Sequence, residues 1–525
     1  MKLKKLTSLI LCVIISLIFF TGCDSNDDYV LYFELDSAPK TLDPQLVSEK
    51  SEELLVKNLF EGLMRENSKG EIVEGVAKSY TVSADKKTYT FTLREDAKWS
   101  DERPVKAEDF VFAFERAVDP KNEAPYVASL YNIVGARDIA EGKNSTLGVT
   151  APNSSTVKIE LISPDESFLR TLTTSICMPC RKDIYNKAKG QYGIIHDRIV
   201  TNGSFKIRFW EKGDKFSLRI NKFADYCGNF PAETTAVIFN IGETSGRATR
   251  IEEGNLDMGF VSFSESGDKS NLFCFEKSNY ALLINKNSDF GDIDFRKAFA
   301  KSIHRNRLQN ELGKALKESS CLIPDTVQLN GSSLASQITV TTPPSYAPND
   351  AHSLYVSAAK GKENLPSKID MLYFGDDDIK NLALLVAENM QQSLGAVVNA
   401  IPTESEAALV NSVSAGEFTL AIFPITAKSS EPSQFFETFT QNSTNNIFGF
   451  KNENYDEFVA KIKPNAKNTV ITDASSSALK ELISETSIIP LAMHLEAFSY
   501  SKELTCPIVS PFGGVIDLSL VRKNK

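Results

Sequence analysis

Histidine and tryptophan are scarce in this 525-residue sequence, which contains four histidines and two tryptophans. The histidines (His196, His304, His352 and His494) are far apart, so we predict no metal site built from closely spaced histidines. The sequence also lacks the GxxxxGKS/T phosphate-binding pattern, the GxSxG nucleophile pattern and the HExxH metalloprotease pattern. We therefore expect neither an ATPase nor a hydrolase, no other enzyme activity and no cofactor.

An excess of positive charge is also absent. Lys and Arg number 58 against 68 Asp and Glu, which gives a formal net charge of −10. This acidic balance argues against nucleic acid as a partner, because the phosphate backbone attracts positive surfaces. The apolar content of 42% is that of an ordinary globular protein.

Long apolar runs are absent except at residues 9–20, which follow Lys2, Lys4 and Lys5. This run is shorter than the roughly 20 residues of a membrane-spanning helix. A basic start, a short apolar run and small residues before a cleavage point predict a signal peptide over residues 1–22. The Gly22-Cys23 step resembles the box of bacterial lipoproteins, so we predict lipidation at Cys23 and a polar tether over 23–28. The alternative is a plain signal peptide with an incidental cysteine.

Six cysteines remain after Cys12 and Cys23 are set aside, and an exported protein can form disulfides between them. Their connectivity cannot be read from the sequence. Cys177 and Cys180 have CxxC spacing, but neither a second CxxC nor a thioredoxin-like strand–helix context accompanies them. We therefore do not predict a redox or zinc-binding role for this pair.

Apolar periodicity predicts a mixed α/β chain, too long for one hydrophobic core and therefore divided into two or three domains. The predicted strands are residues 29–35, 88–94, 157–161, 205–209, 215–220, 369–374 and 418–423. The predicted helices are 51–64, with Ser51 as N-cap, 108–116, 295–308 and 379–394. Three prolines predict an extended surface loop over 339–350.

Several short phrases follow one another along the chain: 41–44 (TLDP), 58–63 (NLFEGL), 75–80 (GVAKSY), 88–100 (TYTFTLREDAKWS), 107–110 (AEDF), 200–206 (VTNGSFK) and 295–298 (FRKA). Together they resemble the family 5 (peptide/nickel) extracytoplasmic solute-binding proteins of ABC transporters, over nearly the whole mature chain. The resemblance implies a periplasmic-binding-protein-like type II fold, in which two lobes form a clamp and an additional domain is inserted. The expected division is lobe I at 29–60, 185–282 and 496–525, an inserted domain at 61–184, and lobe II at 283–495.

Three positions depart from the family pattern. Glu102 stands where glycine is usual, Lys106 where threonine often caps the next helix, and His304 where aspartate is usual. We interpret these departures as surface and capping variation that leaves the fold intact. Asn202 and Gly203 form a turn signal, and a structural role is predicted for them.

The resemblance also implies where a ligand is held. A peptide has a regular backbone and variable side chains, so its recognition needs strand edges and roomy pockets. One implied edge is Ser48-Glu49-Lys50, and the other is the segment Ile425, Thr426, Ala427 and Lys428. Tyr126 is a further candidate to line the cleft, and its alternative is a core or rim tyrosine.

Lys428 is the most informative departure in this set. Peptide receptors of the family commonly have an aspartate there, which pairs with the amino terminus of the ligand. An ammonium cannot take that role, since two like charges repel. Either Glu49 or Glu431 supplies the carboxylate, or the ligand lacks a free amino terminus, or Lys428 lies in solvent.

The predicted function is that of an extracytoplasmic, monomeric receptor that is anchored to the membrane by a lipid. It binds peptides, and oligopeptides in particular, in an interlobe cleft and delivers them to the permease and ATPase subunits of an ABC importer. The alternatives are a sensory or scaffold lipoprotein, or a receptor for a non-peptide small molecule, either of which keeps the fold but not general peptide capture.

Overall fold

The computed structural model describes residues 29–67, 71–165, 168–213, 216–261, 263, 272–330, 332–362, 365–427, 430–443, 445–463, 466–505, 507–509 and 516–524. The predicted signal peptide, the predicted lipidation site Cys23 and Lys428, a predicted candidate for the cleft, lie outside the described residues. Among the residues that the structure does describe, none of the helices has the length and apolar character needed to cross a membrane.

Helices and strands are interspersed along the chain. The helices α1–α14 are Lys50–Leu59, Ala107–Val118, Ala136–Ala140, Phe168–Thr171, Lys182–Ala188, Arg247–Glu252, Ile293–Ser302, Arg305–Glu311, Pro348–Ala359, Asp377–Leu394, Glu406–Ala415, Pro432–Glu437, Glu453–Val459 and Asn468–Ser484. The strands β1–β21 are Val30–Leu35, Met64–Glu66, Ile72–Glu74, Ala77–Val82, Thr88–Leu93, Val149–Asn153, Thr156–Glu160, Phe205–Glu211, Ser217–Lys222, Ala236–Ile241, Met258–Val261, Leu272–Ile284, Leu316–Glu318, Gln328–Leu329, Ser332–Ser333, Lys368–Tyr373, Val397–Pro402, Leu420–Ile425, Ile488–Tyr500, Ile508–Val509 and Ile516–Asp517.

The largest sheet has the order β17-β16-β18-β12-β19-β11-β1-β10-β9-β8, with β13 paired to β19. Its two longest strands, β12 and β19, are antiparallel and run through its middle. The first part of β12 pairs with the part of β19 that also pairs with β11. The last part of β12 pairs with β18. These two strands are therefore the two connections between the halves of the molecule. A separate antiparallel sheet, β4-β5-β7-β6, belongs to the additional domain.

The hydrophobic cores follow the same division. One core is built from residues 31–260 together with 498–521. Two further cores are built from residues between 280 and 492, on the two faces of the sheet formed by β16, β17 and β18 with their neighbours. The mixed α/β architecture of two lobes and an additional domain is therefore present.

Local patterning accounts for several elements. The alternation predicted for β5 buries Tyr89, Phe91 and Leu93 on one face. The long helix α10 begins where the Asp376 carboxylate accepts from two backbone amides at 3.1 and 3.2 Å, and it ends at Gly395, whose φ is +72°. Glu102, which replaces the usual glycine, has a φ of +69°, a conformation that favours glycine.

Three local predictions were wrong in detail. The helix predicted over 51–64 begins one residue earlier, at Lys50 with Glu49 as N-cap, and ends at Leu59. The helix predicted over 295–308 is two helices, α7 and α8, because His304 caps the second one with its Nδ1 accepting from Arg307 N at 3.2 Å. The loop predicted over 339–350 ends at Pro348, where α9 begins, since proline is well suited to the first turn of a helix.

The strand pair β12–β19 is irregular near Glu276, where the register shifts between Glu276 and Ser278 and again between Tyr280 and Ala281. The Glu276 side chain is 8% exposed, and its Oε2 accepts from Asp325 N at 2.7 Å. Its Oε1 is buried and accepts no hydrogen bond from the described part of the chain. Burial raises the pKa of Glu276 to about 7, against the opposing effect of the Asp325 amide.

We expect the buried Glu276 carboxyl group to make the stability of the protein depend on pH. A carboxyl group whose pKa is raised on folding makes its largest contribution to stability below its unfolded pKa of about 4.5. This contribution is lost as the pH rises from about 4.5 through about 7. Glu276→Gln has no carboxyl group at this position, so we expect the variant to lack this pH dependence. Between pH 5 and 7, the free energy of unfolding of the wild type should therefore fall by about 2 kcal/mol relative to that of the variant. Urea unfolding of both proteins at several pH values measures the difference. Parallel pH profiles would contradict the prediction.

Candidate functional site

The segment 40–49, which precedes α1, is held by one buried carboxylate. Glu52 Oε1 accepts from Lys40 N at 2.9 Å and from Thr41 N at 3.3 Å. Glu52 Oε2 accepts from Ser48 N at 2.9 Å and from Glu49 N at 3.1 Å. Glu52 is 1% exposed, so these four bonds are shielded from water. The predicted ligand edge at 48–50 is thus fixed by a residue two positions inside the helix.

The charged side chains at this edge already have partners. Lys50 Nζ donates to both Glu496 carboxylate oxygens, at 2.8 and 2.7 Å, and lies 3.3 Å from the centre of the Phe260 ring. Glu496 is on β19, so this ion pair ties the edge to one of the two connecting strands. Glu49 Oε1 is 3.4 Å from Lys40 Nζ, an exposed partner. The charged side chains of this edge, like its Ser48 and Glu49 amides, are therefore engaged within the protein.

Tyr126 joins the additional domain to this edge. Its hydroxyl donates to Ser48 O at 3.5 Å, a long and weak bond. Burial raises the pKa of Tyr126 well above its usual value, and the carboxylates of Glu406, Glu53, Glu49 and Glu52 raise it further. Tyr126 is therefore a neutral donor in a negative environment.

The second predicted edge lies at the end of β18. Ile425 pairs with Asn279 of β12 and is buried, as is Ala427, whereas Thr426 is exposed. The backbone groups of Thr426 and Ala427 make no hydrogen bond with any described residue. An extended ligand can pair with such an open stretch as an added strand.

A cavity of about 260 Å³ lies between the additional domain and the second lobe. Its wall is mostly aromatic and aliphatic. The residues that line it are Tyr126, Ala128, Ser129, Glu406, Val410, Phe423, Pro424, Ile425, Thr426, Phe435, Thr438, Phe439, Asn445, Ile447 and Phe448. Of the predicted residues, Tyr126, Ile425 and Thr426 line it, and Tyr126 links it to Ser48. Glu49, Lys50 and Ala427 do not line it.

The aromatic wall is braced by ring contacts. Phe448 packs against Phe423 with 5.6 Å between ring centres, edge to face, and against Phe439 at 5.2 Å. Phe439 in turn contacts Phe435 at 5.7 Å. Sequence reasoning did not assign these residues to the site, although the spacing of Phe435 and Phe439 indicates one helical face. It also missed Glu406, which has no distinguishing pattern around it.

The Asn202-Gly203 turn is structural, as predicted. Asn202 Nδ2 donates to Glu61 O at 2.8 Å, and its Oδ1 accepts from Glu61 N at 3.2 Å. A Cβ at Gly203 would lie 2.8 Å from the carbonyl carbon of Leu59, so a larger residue does not fit. This turn therefore holds the end of α1 in place behind the edge at 48–50.

The CxxC pair is buried and reduced. Cys177 and Cys180 are free thiols with 1% and 0% exposure. Burial raises the pKa of each thiol to about 12, so both thiols are protonated at neutral pH. Cys180 lies 3.3 Å from Arg116 Nη1 in the interior. Within the described residues there is also no cluster of three or more His, Cys, Asp or Glu side chains that could hold a metal ion.

Known proteins resemble this chain over most of its length. The sequence profile of the bacterial extracellular solute-binding proteins, family 5 Middle, matches residues 71–446. The periplasmic oligopeptide-binding protein OppA of Salmonella typhimurium is 26% identical over 492 residues, which cover 91% of this chain and 89% of that protein. The dipeptide-binding protein DppE of Bacillus subtilis is 25% identical over 513 residues, which cover 95% and 93%.

Solved structures share the fold. The murein tripeptide binding protein MppA of Escherichia coli superposes with a TM-score of 0.72 at 25% identity, over 94% of this chain and 98% of that chain. Listeria monocytogenes OppA bound to peptide superposes with a TM-score of 0.73 at 19% identity, over 94% and 99%. The predicted clamp of two lobes with an additional domain is thus confirmed as the fold.

Proposed function

The chain belongs to the family 5 bacterial extracellular solute-binding proteins, and from this premise we propose that it is a receptor that binds peptides between its lobes. The relatives named above are oligopeptide-, dipeptide- and murein tripeptide-binding proteins, which supports a peptide as the ligand. A receptor needs no catalytic group.

One observation carries the proposal: the additional domain and the second lobe meet at one cavity, whose wall residue Tyr126 also contacts the first lobe. Tyr126 reaches Ser48 on one side and shares the cavity wall with Ile425 and Thr426 on the other. Beside this cavity, the backbone of Thr426 and Ala427 makes no hydrogen bond with the residues that the structure describes. A ligand with a regular backbone and variable side chains fits an open strand edge next to a side-chain pocket.

The proposal extends to delivery and location. The bound peptide would pass to the permease and ATPase subunits of an ABC importer on other chains. A lipid on Cys23, after removal of residues 1–22, would hold the receptor at the outer face of the membrane, since two or more acyl chains give stable attachment. The domain boundaries given above for lobe I, the inserted domain and lobe II are part of the same proposal.

One preparation tests both the ligand and the anchor. The protein is extracted with detergent from the membranes of its host and analysed by native mass spectrometry. We expect peptides of several sequences to be released on denaturation, and a chain that begins at a diacylglycerol-modified Cys23. An empty protein that also shows no thermal shift with a peptide library would refute peptide binding. An unmodified Cys23 would refute the anchor alone.

A further inference from the structure

The two connecting strands pass from one half of the molecule to the other at a short, irregular stretch. Phe498 of β19 belongs to the core of the first half, whereas Tyr280 of β12 and Ala492 of β19 belong to a core of the second half. The paired residues 276–279 and 493–495 lie between these cores, and we call them the hinge. The register of the two strands shifts within it. A strand pair bends most readily where its ladder is interrupted, so rotation of the halves is expected here.

The loop after β13 is packed on the hinge. Asp325 N donates to Glu276 Oε2 at 2.7 Å, and Asn279 Nδ2 donates to Leu322 O at 3.4 Å, a long bond. Leu322 is fully buried in a core of the second half, so the loop moves with that half. The contact between Glu276 and the loop therefore depends on the angle between the two halves.

Both predicted ligand edges are tied to this region. On one side, Lys50 is paired with Glu496, which follows the hinge residues of β19. On the other side, the loop after β13 leads to Gln328, whose backbone N–H donates to Ser430 O at 2.8 Å, just beyond the second edge. A change in the angle of the hinge therefore moves the two edges relative to each other.

The Glu276 carboxyl group lies in surroundings that disfavour a negative charge. It is 8% exposed, and burial raises its pKa. The Asp325 amide opposes this effect, whereas the Asp325 carboxylate adds to it. The Cys321 thiol comes from the same loop, and burial raises its pKa, so it is neutral. Ionisation of Glu276 is therefore costly while the loop stays packed on the hinge.

The neighbouring strands bring further titratable groups near Glu276. These are His494 and Glu496 on β19, Lys277 on β12 and Lys317 on β13. The charge of Glu496 is matched by Lys50. Directly opposite Glu276, the ladder places the apolar residue Leu495. Lys317 pairs with Met493, further along β19.

We propose that the hinge is sensitive to pH: the neutral carboxyl group of Glu276 favours the closed clamp, and its ionised form favours an open clamp in which water reaches it. The structure has the closed arrangement, since Tyr126 and Ile425 share one cavity wall. The inference rests on the proposed function, because it adds a regulation to the same clamp. A carboxyl group with a higher pKa in the closed form stabilises that form at acidic pH, and this stabilisation is lost as the pH rises through about 7. Peptide would thus be held more tightly at acidic than at alkaline pH.

Small-angle X-ray scattering of the ligand-free protein at pH 5.5 and pH 8 tests the inference, because it reports the separation of the halves. In the wild type we expect the ratio of open to closed molecules to rise about ten-fold between these pH values, since a moderate difference in the pKa of one carboxyl group between the two forms has this effect. Glu276→Gln is neutral at both pH values, so its ratio should change less than about two-fold.

Glu417→Gln is the matched control, because Glu417 is exposed and lies three residues before β18. It should respond to pH as the wild type does. An equal response in the wild type and in Glu276→Gln overturns the inference, as does wild-type scattering that is the same at both pH values. Should Glu276→Gln not fold, Glu276→Met, which is also neutral, takes its place.

The scattering measurement uses no peptide, which separates the two proposals. The hinge inference can fail while a peptide library still binds, and the proposed function then stands. A library from which nothing binds would refute the proposed function, whatever the scattering shows.

Discussion

Replacing Asp43 with asparagine is expected to lower the free energy of unfolding by about 3–5 kcal/mol, because it leaves a buried guanidinium without its counter-charge. Asp43 is 1% exposed and Arg116 is 4% exposed. The two side chains form a bidentate pair in which both Arg116 Nη atoms donate to the Asp43 carboxylate. Asparagine keeps one acceptor oxygen but removes the charge. Urea unfolding of the variant and the wild type measures the loss.

The other contacts of Arg116 cannot replace that charge. Arg116 Nη1 also donates to Gln45 Oε1 at 2.7 Å, and the guanidinium lies 4.0 Å from the centre of the Tyr185 ring. These groups are neutral, so they leave the cation uncompensated in the interior. The pair joins the segment before α1 to helix α2 of the additional domain, and we expect both to loosen together.

Asp96→Asn provides the matched control for this prediction. Asp96 also pairs with an arginine, Arg94, at 3.1 Å, but its side chain is 57% exposed. An exposed ion pair contributes about 0–1 kcal/mol, because water and salt screen it. If Asp43→Asn and Asp96→Asn destabilise the protein equally, burial of the Asp43–Arg116 pair does not have the energetic role described here.

Replacing Glu52 with alanine is expected to affect both stability and ligand affinity. Four backbone N–H groups lose their acceptor, two of them at Ser48 and Glu49 of the ligand edge. We expect the free energy of unfolding to fall by about 2–4 kcal/mol, because water replaces only part of these bonds. We also expect peptide affinity to fall about ten-fold, since an edge that is no longer held must be ordered when the ligand binds.

Two further variants make this prediction specific. Glu52→Gln keeps one acceptor oxygen, and an intermediate loss of stability and affinity is expected from it. Glu108 occupies the first turn of α2 but is exposed, so Glu108→Ala should cost no more than about 1 kcal/mol and leave peptide affinity unchanged. Calorimetric titration at a temperature where every variant is folded separates the two effects. An unchanged affinity in Glu52→Ala would show that the edge does not contact the ligand.

The family phrases illustrate how far sequence reasoning reached. The phrase at 41–44 helped to identify the family, and in the structure it leads into a turn in which Leu46 N donates to Asp43 O at 2.9 Å. However, the same phrase contains Asp43, whose partner is 73 residues away in the chain. Nothing in the local pattern indicates such a pair, because a buried ion pair depends on two segments that meet only after folding.

The candidate site shows the same limit. Family resemblance predicted Tyr126, Ile425 and Thr426, and the structure gathers these three around one cavity. Glu406 was missed, since one carboxylate in a chain with 68 acidic residues carries no local signal. Its position beside the phenylalanine wall becomes visible only when α11 is seen against the additional domain.

The sequence by itself determined the α/β class, the positions of several strands and helices, and the C-terminal end of α10. These features depend on side-chain periodicity and on capping residues, which act within a few positions along the chain. Only the tertiary structure decided that β1 lies between β10 and β11, that β12 and β19 connect the two halves, and that Glu406 faces the cavity of Tyr126. These contacts join residues that are tens to hundreds of positions apart, and their energies depend on burial, which no local pattern specifies.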